Sequence, residues 1–224
     1  MSGIDERVAA VREQVSRAAA RAGRAVEEIT TIAVTKFHPA SLVSDLYAAG
    51  IRDVGENRHQ EAEAKAAELT GLDDLTWHFV GQLQSKKARR VARYARVVHS
   101  VDRDSVVDAL DSADLPVGCF VQVALSSDEH RGGVSVDDVE RLAERVVASR
   151  HLSLLGVMAV APLGEEPRAA FARLRTVSER ITTIEPSASS ISAGMSGDFA
   201  EAILEGATHL RIGTAITGNR PATP

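Results

Sequence analysis

Of the 26 cationic residues in this 224-residue chain, 22 are arginines and four are lysines, and one lysine stands apart. Lys36 closes the apolar run Thr31-Ile32-Ala33-Val34-Thr35. A lysine at the edge of a buried strand costs free energy unless something uses it. Burial disfavours the ammonium form and frees the amine to add to a carbonyl, which suits a Schiff base with an aldehyde cofactor. The other three lysines, Lys65, Lys86 and Lys87, fall in Ala- and Arg-rich stretches that read as exposed helix.

Two further segments supply polar chemistry. Gly194-Met195-Ser196-Gly197-Asp198 leads directly into the helix-forming stretch Phe199–Leu204, with Ser196 expected as N-cap. Free amides at such a helix start, together with Gly213 and the hydroxyl of Thr214, suit a phosphate. Arg211 lies two residues before Gly213 and therefore shares its strand face. A buried arginine there needs a partner, and spacing alone leaves two open: the pyridine nitrogen of pyridoxal phosphate (PLP), or an inward Asp or Glu.

The elements that must position these residues alternate regularly. Eight short apolar runs have the character of strands covered on both faces: Thr30–Thr35, Arg52–Gly55, Trp77–Gly81, Val97–Val101, Cys119–Leu125, Leu154–Val160, Ala188–Ala193 and His209–Gly213. Amphipathic stretches separate them, and Ile4, Val8, Val11 and Val15 mark an extra helix before the first strand. Pro39 is placed at the first position of the next helix. The expected fold is α/β, a single (β/α)8 TIM barrel over residues 1–224, with the extra N-terminal helix and a reduced C-terminal one. A doubly wound open sheet is the rival. In a barrel, Lys36, Glu56-Asn57, Gly81-Gln82, Asp102, Ser126-Ser127, Met158, Ser196-Gly197 and Gly213-Thr214 all fall at the strand ends that form the mouth.

Composition excludes several classes. No run approaches the length of a membrane span, and residues 1–12 carry charges of both signs without a signal-peptide apolar stretch. One cysteine, Cys119, excludes an internal disulfide and a cysteine-built metal site, and it reads as core. The seven histidines lack helical metal-ligand spacing. A net charge of −5 argues against nucleic-acid binding, and the basic run from Lys86 to Arg96 reads as a solvated face. The expected location is the cytoplasm.

In order, the chain carries Ala33-Val34-Thr35-Lys36, Gly55-Glu56-Asn57, Trp77-His78-Phe79-Val80-Gly81-Gln82, His99-Ser100-Val101-Asp102, Gly194-Met195-Ser196-Gly197-Asp198-Phe199 and Arg211-Ile212-Gly213-Thr214. From about Ile4 to Arg220 it resembles the YggS/PROSC family of PLP-binding, PLP-homeostasis proteins. The resemblance implies a barrel like the N-terminal domain of alanine racemase. It implies PLP held as an internal aldimine on Lys36, with Ser196, Gly197, Gly213 and Thr214 at the phosphate and Arg211 at the pyridine nitrogen. Asn57, His78 and Met158 are pocket-lining positions by the same resemblance. PLP-dependent apo-enzymes are the implied acceptors.

The chain departs from the family pattern at His38, where many members have a second lysine, at Arg58, where many have tyrosine, at Ala193, and around Arg131. These departures bear on a secondary PLP site and leave Lys36 untouched. Racemisation requires a proton donor on each face of the substrate carbon. Tyr47 and Tyr94 fall on outer helices and no second domain is present, so a carrier without turnover, acting as a monomer, is expected. A PLP-dependent racemase or lyase, with His78 as the second acid, is the alternative.

Overall fold

The computed structural model describes residues 3–126 and 132–219. Eight parallel strands close in sequence order into a barrel, each hydrogen-bonded to its neighbour and β8 to β1. They are β1 (Thr30–Val34), β2 (Asp53–Glu56), β3 (Thr76–Phe79), β4 (Val97–Val101), β5 (Val117–Gln122), β6 (Leu152–Met158), β7 (Ser190–Ser192) and β8 (His209–Ile212). The intervening helices are α2 (Ala40–Ala48), α3 (His59–Glu68), α4 (Ser85–Val91), α5 (Asp104–Asp111), α6 (Val139–Val147), α7 (Pro167–Ile184) and α8 (Phe199–Leu204). The sheet is a closed barrel, and the open-sheet alternative is set aside.

The period of two sorts each strand into two faces. Ala33, Val54, Trp77, Val98, Cys119 and Val157 pack outward into the main apolar core beneath the helices. The inward set is polar to an unusual degree: His78, His99, Ser192, His209 and Arg211 meet one another inside the barrel. Packing against the helix layer therefore carries the hydrophobic stabilisation, and the barrel interior carries hydrogen bonds.

Helix α1 (Gly3–Arg21) buries Val8, Val11, Val15 and Ala18, the stripe expected from three- and four-residue spacing. It covers the side of the barrel where, among the described residues, only the four-residue α9 (Thr214–Thr217) follows β8, and Arg7 Nε donates to the Ile216 carbonyl at 2.7 Å. The extra helix thus substitutes for a full eighth one, as expected.

Three local expectations change. Strands β5 and β6 start and stop about two residues earlier than the apolar runs, because after Gln122 the chain leaves the ladder and Val123 instead bridges Val134. Pro39 is the N-cap of α2, one position ahead of the expected slot. Asp198, not Ser196, is the N-cap of α8: residues 196–198 form a turn, and Asp198 Oδ1 accepts from the Met195 N–H at 2.6 Å.

Lys65 is the larger correction. It is buried, at 6% exposure, and its Nζ donates to Glu56 Oε1 at 2.6 Å and to the Thr35 carbonyl at 2.9 Å. Its helix is Ala- and Glu-rich, but it lies on the face turned toward β1 and β2. Glu56 is fully buried and also accepts from the Thr35 hydroxyl at 2.6 Å, so it bonds side chains and not the backbone. Burial raises the Glu56 carboxyl above its ordinary range, opposed by the Lys65 and Thr35 bonds. Removing one partner of a buried pair strands the other's charge. Lys65→Met is expected to destabilise the fold by about 3–5 kcal/mol in urea unfolding, with much of the loss recovered by adding Glu56→Gln.

Candidate functional site

Every residue of the mouth hangs from the C-terminal end of a strand. Lys36 follows β1 by two residues, half-buried in a turn. The residue before it is held at three atoms. The Thr35 N–H donates to the Gly55 carbonyl, its hydroxyl to Glu56, and its carbonyl accepts from Lys65. The residue after it, Phe37, sits at φ +68°, a left-handed conformation that costs a non-glycine residue about 1–3 kcal/mol. Its N–H donates to Glu61 Oε2 at 3.1 Å, and the Arg58 guanidinium lies 4.7 Å from its ring centroid. Arg58 in turn bonds Glu61. Helix α3 and the residue before it therefore pin the chain on both sides of Lys36.

Opposite β1, the segments after β7 and β8 meet. The Ala215 N–H points at Ser196 Oγ at 3.4 Å, joining the two loops. Among the described residues, the backbone N–H groups of Ser196, Gly197, Gly213 and Thr214 find no protein acceptor. A side chain built at Gly197 or Gly213 would meet nothing within 4 Å. Open space faced by unspent amides and two hydroxyls suits a phosphate-sized anion.

Arg211 lies below this cradle, 6% exposed. Its Nη1 donates to Ser192 Oγ at 2.6 Å and its Nη2 to the Ala159 carbonyl at 2.8 Å. The inward carboxylate left open by the sequence is not bonded to it. Asp198 raises the Arg211 pKa from a distance, but burial prevails and the guanidinium is pushed down to about 10. Only two of its five N–H donors are used by these bonds, so a buried cation is left to meet an acceptor from the mouth.

The remaining expected residues divide. Asn57 is at the end of β2, packed so closely on Gly81 that a Cβ there would fall 2.2 Å from the Asn57 carbonyl. Its Oδ1 is buried without a hydrogen-bond partner, an acceptor waiting for a donor. Met158 ends β6, 2% exposed. His78 lies deeper than the other candidates. Its Nε2 is 2.9 Å from Asp53 Oδ1 and its Nδ1 2.9 Å from His99 Nε2. His99 Nδ1 continues to Ser192 Oγ at 2.8 Å, and its ring stacks on Phe120. Tyr94 lies in the turn after α4, stacked on His59 of α3, and Tyr47 on α2 bonds Asp74. Ser127 and Arg131 lie outside the described residues.

Asp53 and Ser192 are the residues that motif reading passed over, and Glu56, His99 and Lys65 were noted without their interior bonds. The available signal was period two: Asp53, His78, His99, Ser192 and Arg211 all occupy inward positions. Among the described residues, no group of three or more His, Cys, Asp or Glu side chains could hold a metal, and no helix is long and apolar enough to cross a membrane. Burial pushes the Cys119 thiol up to about 12, in keeping with a core residue.

Residues 7–221 match the family model of the alanine racemase N-terminal domain. The chain is 40% identical to the pyridoxal phosphate homeostasis protein of Mycobacterium leprae, over 94% of this chain and 90% of that one. It is 42% identical to the protein of the same name from Pseudomonas aeruginosa, over 98% and 97%. Among solved structures it is similar to PipY of Synechococcus elongatus PCC7942 with PLP bound. There the TM-score is 0.84 and the identity 37%, covering 96% of this chain and all of that one.

Two interior histidines set an acid limit on the fold. Burial pushes His99 well below the ordinary histidine value of 6.5, and pushes His209 down to about 4. The unfolded chain therefore binds protons that the folded one refuses. Stability is expected to be full above about pH 6.5 and to fall toward pH 4, at about 1.4 kcal/mol per pH unit for each such histidine. Urea unfolding across that range measures the slope, and His209→Gln is expected to flatten it.

Proposed function

The chain belongs to the alanine racemase N-terminal-domain family and, within it, to the pyridoxal phosphate homeostasis proteins, and from that premise we propose that it holds and hands on PLP as a carrier without turnover. The observation that carries the reading is the buried guanidinium of Arg211, bonded only to neutral oxygens, beneath an open cradle of amides. PLP has the three features that these groups call for: a phosphate, an acceptor ring nitrogen and an aldehyde. Relatives named for PLP homeostasis, and a structural neighbour described with PLP bound, support the same assignment.

In this reading Ser196, Gly197, Gly213 and Thr214 bind the phosphate, and Arg211 donates to the pyridine nitrogen. Lys36 captures the aldehyde through its amine. Asn57 and Met158 line the ring's surroundings, and His78 supports the site from within the barrel. When bound, PLP supplies an aldehyde for capture by an amine and a conjugated ring that can withdraw electrons. Arg211 moderates that withdrawal, because a guanidinium cannot accept a hydrogen bond and so leaves the ring nitrogen unprotonated. Both ring nitrogens of His78 are engaged in the interior, and the two tyrosines lie outside the barrel, so neither His78 nor a tyrosine stands beside Lys36 as a second proton carrier. One such group is insufficient for exchange on both faces of a carbon. The proposal extends to a monomeric cytoplasmic protein whose acceptors are PLP-dependent apo-enzymes.

Three outcomes are expected. Wild-type protein loaded with PLP gives a visible absorbance band that borohydride removes, and Lys36→Ala loses that band. Ser196→Ala keeps the band but weakens PLP binding by about tenfold, the worth of a hydrogen bond to a charged group. A panel of amino acids in deuterated water is expected to show no α-carbon exchange beyond that of free PLP. Exchange at enzymatic rates dependent on His78 would establish the racemase or lyase reading instead.

A further inference from the structure

Inside the barrel a single file of hydrogen bonds connects Arg211 to the opposite, N-terminal end. It passes from Arg211 Nη1 to Ser192 Oγ (2.6 Å), His99 Nδ1 (2.8 Å), His99 Nε2 to His78 Nδ1 (2.9 Å), and His78 Nε2 to Asp53 Oδ1 (2.9 Å). The file crosses from β8 through β7, β4 and β3 to β2. Ser192 and His99 are fully buried and His78 is 2% exposed. Asp53, at the first position of β2, is the member that solvent reaches, with 28% of its side chain exposed. It lines a cavity of about 550 Å³ at the N-terminal end, bordered by Thr30, Thr31, Ile51 and Arg12.

Chemistry at the two ends sets the direction of every bond between them. A guanidinium only donates and an ionised carboxylate only accepts. His78 must therefore present Nε2–H to Asp53. With one proton per imidazole, His78 Nδ1 then accepts from His99 Nε2–H. His99 Nδ1 is left to accept from the Ser192 hydroxyl, whose oxygen accepts from Arg211. Four bonds use four donors, and no other arrangement with singly protonated rings satisfies all of them.

We propose that Asp53, His78, His99 and Ser192 form one directed relay that orients the Arg211 guanidinium from below, making Asp53 a positioning residue for a site at the other end of the barrel. Ser192 is the acceptor of Arg211 Nη1, and its own proton is committed to His99. If the His99 tautomer reverses, Ser192 has no acceptor in the file for that proton. The Ala159 carbonyl holds Nη2 independently, so breaking the relay loosens Arg211 without releasing it. The link to PLP rests on the function proposed above, whereas the relay itself can be read in the PLP-free protein.

The test uses the full chain without PLP, labelled with nitrogen-15, and long-range imidazole proton–nitrogen spectra assigned with His78 and His99 variants. Wild type is expected to show both rings as the Nε2–H tautomer and slow exchange of the Arg211 guanidinium protons. His99→Phe retains a ring against Phe120 but breaks the file, and is expected to speed that exchange by at least about tenfold. His99→Gln can accept from Ser192 and donate to His78, so it restores slow exchange. Asp53→Ala leaves the His99 tautomer mixed. Should His99→Phe fail to fold, Ser192→Ala with Ser192→Thr as rescue gives the same comparison. In a second readout, PLP affinity falls by about tenfold in His99→Phe and Ser192→Ala, while the band on Lys36 still forms. An Nδ1–H tautomer at His99 in wild type, or unchanged Arg211 exchange in the broken variants, would overturn the relay. Intact relay signals with no effect on PLP affinity would overturn its link to the site. Absence of PLP binding in wild type would instead contradict the proposed function.

Discussion

Arg211 is buried at the centre of eight parallel strands, and its guanidinium meets a serine hydroxyl and a backbone carbonyl in place of a carboxylate. A charge in that position is costly, and neutral hydrogen bonds offset the cost only in part. The polar interior follows from it. Ser192 must accept, His99 must remain neutral to receive the serine's proton, and His78 must pass the demand on to Asp53 at the far end. Ordinary barrel interiors are filled by branched apolar side chains. This one replaces part of that packing with a hydrogen-bonded file, and most of its apolar stabilisation lies in the layer between strands and helices.

Lys36 is governed by a separate arrangement of similar design. The neighbouring Thr35 is tied by backbone and side chain to β2 and to the Glu56–Lys65 pair, and Phe37 is held in a strained conformation by Glu61 and Arg58. Rigid placement on both sides lowers the ordering cost of capturing a ligand covalently. Arg58 and His38 stand where the family resemblance leads one to expect a tyrosine and a second lysine. In this chain Arg58 has a local use, stacking on Phe37 and bonding Glu61, which accounts for a cation at that place without a second cofactor site.

Much of this was legible in the sequence. Eight apolar runs, their helical partners and the stripe on α1 follow from periodicity, and the strand-end rule located Lys36, Asn57, Ser196 and Gly213 at one mouth. The errors have physical causes. Lys65 lies in a stretch whose composition suggests a solvated helix, and its burial depends on a carboxylate nine residues earlier that only the β2–α3 turn brings within reach. Ser196 and Asp198 are both good capping residues, and the choice between them depends on the turn geometry after β7. The interior relay joins residues up to 93 positions apart; its members share inward parity, but which of them touch is decided by strand stagger, which sequence does not display.

The most direct measurement of the central claim is the location of the cofactor adduct. PLP-loaded protein is reduced with borohydride, digested, and its peptides weighed and fragmented. A single modified residue at Lys36 is the outcome that the buried arginine, the amide cradle and the pinned turn together require. Modification at Lys86 or Lys87, or spread across the lysines without preference for Lys36, would contradict it.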